Sequence, residues 1–157
     1  MHQTTLHTDM SQVDIGGKAA VRREAVAEGY IRLRSETIER VVGGHVEKGD
    51  PITISKLVGL MAAKQTPILL PLCHNIQLDH VELTIWIDEE KQRIGVRSKV
   101  SAHAKTGVEM EALTSVTVTL LNIWDMVKQY EKDDRGHYPQ TLIESVRIVS
   151  KMKEAPQ

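Results

Sequence analysis

At 157 residues the chain is long enough for one domain with a substantial core, and 20 Lys and Arg against 21 Asp and Glu leave no charge excess to draw it to nucleic acid or an anionic membrane. Aromatic residues are scarce and Phe is absent, so the core must be assembled from Val, Ile, Leu, Met and Ala. The single cysteine, Cys73, excludes an intrachain disulfide and suits a reducing compartment.

No apolar run approaches the length of a membrane span, and the first ten residues lack the basic-then-apolar form of a signal peptide, so the expectation is a soluble cytoplasmic protein. Residues 1–12 are polar and unpatterned, which predicts a flexible N-terminal arm ahead of a single domain over 13–157. Val13-Asp14-Ile15-Gly16-Gly17-Lys18 reads as a short extended piece ending in a glycine pair. From Arg22 to Arg34 the positions Ala25, Ala27, Ile31 and Leu33 are apolar and their neighbours mostly charged. That alternation predicts a strand, although the Ala, Glu and Arg content would also suit a helix.

Ser35 is placed to cap a short helix through Glu39 and Val42, ended by Gly43-Gly44. Asp50-Pro51 starts a second helix, with Ile54, Leu57, Val58, Met61 and Ala62 as its apolar face and an end near Gln65. Pro67 and Pro71 then bracket an apolar turn that delivers Cys73 and His74 into a loop. Val81, Leu83, Ile85 and Ile87 alternate with polar residues, as do Ile94, Val96, Val100, Ala102 and Ala104 beyond the charged turn Glu89–Gln92. This is an antiparallel hairpin with one buried face.

A helix follows the polar turn Lys105-Thr106-Gly107, with Leu113, Val116, Leu120, Trp124 and Val127 recurring at steps of three and four. Val116, Val118 and Leu120 also alternate with threonines, but the run free of Gly and Pro is too long for a typical strand. After a polar loop over 132–140, a last strand carries Leu142, Val146 and Ile148 on one face and Ile143 and Val149 on the other. The order of elements predicts an α+β, ferredoxin-like βαββαβ fold, an antiparallel sheet with both main helices on one face. Trp86 and Arg22 point outward from it, leaving sheet surface for subunit packing. The fold alone fixes no activity.

Candidate chemistry is sparse. His74 lies beside Cys73 with His80 further on, but no paired metal-ligand spacing accompanies them, so no metal site is expected. No Gly-rich phosphate loop is present. Cys73 could be a nucleophile, yet its apolar setting would raise its pKa and favours inert packing. Asp125 and Lys128, three residues apart on a helix, place a carboxylate and an amine on one flank. An arbitrary Asp-x-x-Lys is most often a surface ion pair. Arg22, Arg23, Lys48, Lys56, Lys64, Lys105 and Lys128 are ordinary solvated cations unless several converge on an anion.

Several stretches together resemble the cyclic pyranopterin monophosphate synthase (MoaC) family of molybdenum cofactor biosynthesis. They are Val13-Asp14-Ile15, Arg23-Glu24-Ala25, Lys48-Gly49-Asp50, Gly59 to Thr66, Leu70-Pro71-Leu72-Cys73-His74, Lys105 to Thr114, and Trp124-Asp125-Met126-Val127-Lys128. The resemblance implies a ferredoxin-like subunit in a homohexamer built as a trimer of dimers, with active sites between subunits. It implies conversion of (8S)-3′,8-cyclo-7,8-dihydroguanosine 5′-triphosphate into cyclic pyranopterin monophosphate and pyrophosphate, a phosphorus–oxygen lyase reaction. By motif, Asp125 and Lys128 match the catalytic pair. Leu72, Cys73, His74, Met110 and Glu111 match substrate-contacting segments, and Lys48, Lys64 and Arg23 match basic or polar positions near the substrate.

On this reading Lys128 is a general acid/base oriented by Asp125, His74 and Lys64 hold the triphosphate, and Glu111 bonds the guanine-derived ring. Burial and neighbouring cations would lower the lysine's pKa and Asp125 would raise it. The reaction has no net redox change and needs no redox cofactor; whether Mg²⁺ accompanies the triphosphate stays open. Val127 replaces the family's usual cysteine, Asn75 follows His74 where many members have proline, and Gly136-His137-Tyr138-Pro139 occurs in a tail lacking the common Lys-Ser-Gly-Gly-Lys-Ser ending. Two other classes compete. A nucleic-acid-binding module would want exposed aromatics and a basic face, which the composition disfavours. A regulatory small-molecule module is opposed only by the motif stretches.

Overall fold

Small and β-branched residues at alternate positions build the centre of the sheet. In a computed structural model, described over residues 9–155, β1 spans Val21–Arg32, β2 His80–Asp88, β3 Arg93–Ala104 and β4 Leu142–Lys153. The order across the sheet is β2-β3-β1-β4 and every pairing is antiparallel. The helices are α1 (Ser35–Val42), α2 (Pro51–Leu69) and α3 (Glu109–Glu131). α3 packs across β1, β3 and β4, and α2 lies beside it against β2. This is the expected α+β, ferredoxin-like arrangement, with α1 as a short addition. Residues 1–8 of the expected arm lie outside the described residues.

One face of the sheet is buried under α3. Ala25, Ala27, Ile31, Ile94, Val96 and Val100 meet Val116, Leu120, Ile123 and Val127, all fully buried. Gly29 is where the helix comes closest: a Cβ there would stand 2.8 Å from Val146 Cγ2 and 3.0 Å from Leu120 Cδ1. On the other face, Trp86 lies over Gly95 and meets Tyr30 edge-on at 5.7 Å between ring centroids. Glu28 is buried on that same face because the Tyr30 hydroxyl and the Arg97 guanidinium close over its carboxylate.

Local details depart from the sequence expectations for identifiable reasons. Ser35 is the first helical residue of α1, not its cap; Arg34 takes the extended cap conformation and donates its N–H to Glu131 Oε1 at 2.9 Å. Asp50 caps α2 as expected, accepting from Ile52 N at 2.9 Å. α2 nevertheless passes Gln65 and runs through Pro67. Proline cannot donate to the Ala63 carbonyl, but the Thr66 hydroxyl does so at 3.0 Å.

The buried face of α2 is also not the large apolar stripe. Ser55, Gly59, Ala62, Ala63 and Thr66 face inward, whereas Leu57 is 59% and Ile68 78% exposed. Small residues let α2 approach α3 closely, where Asn122 Nδ2 donates to Ser55 Oγ at 3.0 Å. In β4 the expected faces are reshuffled. Two register shifts against β1, with Ser145 at φ 56°, each insert an extra residue, so Ile143, Val146 and Ile148 all reach the core and Leu142 does not.

Candidate functional site

The turn after β3, the first turn of α3, the loop before β2 and the stretch near residue 15 close around a cleft of about 610 Å³. Leu72, Cys73, His74, Met110 and Glu111 all line it, together with Val13, Ile15, Lys18, Glu109 and Lys151. The loop is drawn back after α2 by Cys73 N donating to Leu70 O at 2.9 Å. Gln12 Nε2 donates to Cys73 O at 2.8 Å, and His74 Nε2 lies 2.7 Å from Val13 O.

Two carboxylates in the first turn of α3, two residues apart and so on nearly opposite flanks, meet opposite fates. Burial pushes Glu109 up, but the hydrogen bond from Lys151 Nζ at 2.6 Å and that lysine's charge bring it below its ordinary value. Glu111 is buried, its Oε2 has no partner, and burial holds its carboxyl above the usual range. Such a group is built to receive a donor from a ligand or to keep a proton. Cys73 is also raised, by burial first and by the Glu111 charge second, so it is a poor nucleophile at neutral pH. Arg23 borders this end of the molecule, with Nη2 3.4 Å from Lys105 O and a buried Nε without a partner.

Asp125 and Lys128 stand at the other end of α3. Lys128 Nζ donates to Asp125 Oδ1 at 2.8 Å, while Lys48 Nζ donates to Asp125 Oδ2 and to its backbone carbonyl, both at 2.9 Å. The hydrogen bond from Lys128, followed by that from Lys48, holds the Asp125 carboxyl below its ordinary value. Lys128 is raised by the same hydrogen bond and by the carboxylate's charge, so Asp125 prevails over the effects that would lower it. Trp124 meets Tyr138 edge-on at 5.3 Å, which seats the 132–140 loop beside the pair.

The expected site residues therefore fall into two groups. At about 1.5 Å of rise per residue, Met110 and Lys128 are separated by roughly 27 Å along one helix. Within one chain, Asp125, Lys128 and Lys48 do not meet His74 or Glu111. Lys64 joins neither group; it is exposed on the α2 stripe that carries Leu57, Met61 and Ile68. Sequence reasoning missed Lys151 and Lys18, because a lysine in a strand or beside a glycine pair carries no signal of its own. Glu109 was legible only as part of the Val108-Glu109-Met110-Glu111 run. Among the described residues, no three His, Cys, Asp or Glu side chains converge as metal donors.

Comparison with known proteins shows the family of the chain. The MoaC family model matches residues 12–154. A protein of Sulfurisphaera tokodaii named "Probable cyclic pyranopterin monophosphate synthase" is 57% identical over 146 residues, covering 93% of this chain and 95% of that one. Proteins of the same name from Saccharolobus solfataricus and Archaeoglobus fulgidus are 52% and 53% identical, covering 95% and 90% of this chain and 99% and 89% of theirs.

Proposed function

The chain belongs to the MoaC family, and from that premise we propose that it is a cyclic pyranopterin monophosphate synthase, a lyase of molybdenum cofactor biosynthesis. Residues 13–157 act as one catalytic domain. The substrate is (8S)-3′,8-cyclo-7,8-dihydroguanosine 5′-triphosphate. Closing the cyclic phosphate forms a new bond from oxygen to the α-phosphorus as the bond to pyrophosphate breaks. The remaining steps are a rearrangement of the ring system, in which ring bonds break and re-form with proton transfers and no net oxidation, so no redox cofactor enters. A Mg²⁺ ion, where one is used, would arrive with the triphosphate.

The observation that carries this reading is the contact among Lys48, Asp125 and Lys128 in a chain of this family. Asp125 holds Lys128 by a charge-assisted hydrogen bond, which fixes the amine's direction and keeps it protonated as a general acid. Once the proton is given up, the same carboxylate favours its return. Lys48 takes the other carboxylate oxygen and adds positive charge for a phosphate. Across the second group, Glu111 receives N–H donors from the guanine-derived ring, with Leu72, Cys73, His74 and Met110 as walls and Arg23 nearby.

Two half-sites roughly 27 Å apart cannot act on one nucleotide, so the working site forms between copies of the chain. A homohexamer, a trimer of dimers, satisfies this. Its support is the exposed apolar stripe of α2, including Leu57, Met61 and Ile68, a surface that water would leave costly and a second copy would cover. Lys64, on the same stripe, would thereby enter a neighbour's site. No described helix is long and apolar enough to cross a membrane, and we assign the reaction to the cytoplasm. The test is incubation with the cyclised dihydro-GTP: stoichiometric pyrophosphate and a cyclic pterin phosphate are expected, and their absence would overturn the reading.

A further inference from the structure

Gln12–Lys18 belongs to no helix or strand and is mostly exposed, yet it is fastened at three points to separate parts of the molecule. Gln12 Nε2 donates to Cys73 O at 2.8 Å, His74 Nε2 lies 2.7 Å from Val13 O, and Lys105 Nζ donates to Gly16 O at 2.9 Å. The segment also holds its own turn: Gly16 N donates to Asp14 Oδ1 at 2.7 Å and Lys18 N to Ile15 O at 3.1 Å. Val13, Ile15 and Lys18 form one wall of the cleft that His74 faces.

A backbone carbonyl can only accept a hydrogen bond, so its contact with Nε2 requires that nitrogen to carry the proton. In the neutral ring Nδ1 is then left with its lone pair. Nδ1 has no hydrogen-bond partner among the described residues. We propose that the Gln12–Lys18 strap is a positioning element of the site and that the Val13 carbonyl fixes His74 as its Nε2–H tautomer, presenting Nδ1 as the acceptor. In its neutral form the ring then accepts from a ligand N–H or O–H at this point of the cleft, in place of the triphosphate that the family resemblance sets against His74. The Val13 carbonyl acts on the site through His74, while the side chains of Val13, Ile15 and Lys18 line the same cleft. This rests on the functional reading for the identity of the ligand, but the tautomer itself does not.

The experiment uses the full chain labelled with ¹⁵N in its histidines, with His74 resonances identified from His74→Gln. At a pH where the ring is neutral, two-bond ¹⁵N–¹H spectra are expected to show Nε2 protonated and Nδ1 bare. The double variant Gln12→Ala/Lys105→Met removes two of the three fastenings without touching the cleft's substrate groups. Its His74 is expected to move toward a mixture of tautomers, and KM for the cyclised dihydro-GTP to rise roughly three- to tenfold with kcat held within a factor of about two, the scale of one lost oriented hydrogen bond. A wild-type ring protonated on Nδ1 would overturn the proposal, as would a double variant in which neither tautomer nor KM changes. An inactive wild-type protein would defeat the activity assignment alone, since the nitrogen spectra decide the tautomer without turnover.

Discussion

Two variants that each disable a different half-site should rescue one another when mixed. Lys128→Ala removes the amine paired to Asp125 at 2.8 Å, and loss of a positioned proton-transfer group lowers turnover by about two orders of magnitude. Glu111→Gln neutralises the buried, unpartnered carboxylate without changing its size, and losing a charged hydrogen bond costs about 1.5–3 kcal/mol, or roughly ten- to a hundredfold. Because about 26 Å of helix separates the two residues in one chain, the proposed shared site would take one group from each of two neighbours. With equal amounts randomly assembled by co-expression, half the sites keep Lys128 and half of those keep Glu111, so about a quarter of the sites are intact. The assay is pyrophosphate release from the cyclised dihydro-GTP by the mixed assembly, compared with each variant assembled alone. Activity near a quarter of wild type is expected. Activity no greater than the mean of the two pure variants would refute the shared site, since sites within single chains cannot complement.

Other outcomes follow from the same geometry. Folding depresses the Asp125 carboxyl, so its pairs support the fold above the ordinary carboxylate pKa and that support fades as pH falls through the depressed value. Lys48→Met removes the second partner, and a carboxyl NMR titration should place the Asp125 midpoint higher than in wild type; an unmoved midpoint would contradict the role given to Lys48. Gly59→Ala would drive a Cβ into Thr119 Oγ1 and to 2.8 Å from Leu83 Cδ2, and overpacking of this kind costs about 1–3 kcal/mol, to be read as a lower midpoint in denaturant unfolding. Cys73, raised by burial and by Glu111, should react with iodoacetamide more slowly at neutral pH than a free thiol does, and Glu111→Gln should narrow the gap. Equal rates in the native protein and in the free thiol would contradict that environment.

Much of this architecture is written in local pattern. Alternation over 81–87, and over 94–104 with Ser98 as its one polar break, specifies a hairpin with one buried face, because a strand's side chains point to opposite sides in turn. Asp50-Pro51 specifies a helix start by its own chemistry, and the Asp125-Lys128 spacing alone guarantees that the two side chains can meet. What one residue does to a distant one is not so written. Which stripe of α2 turns inward was decided by how closely α3 could approach: Gly59 and Ala62 won over Leu57 and Met61 because only small side chains fit there. The faces of β4 were decided by two inserted residues that alternation cannot anticipate. Above all, a linear reading gathers His74, Glu111, Asp125 and Lys128 into one site. Within one chain His74 and Glu111 share a cleft, but the length of α3 keeps them from Asp125 and Lys128, since each residue added to a helix carries the chain further along the axis; in the proposed assembly a second copy would bring the two ends to a single ligand.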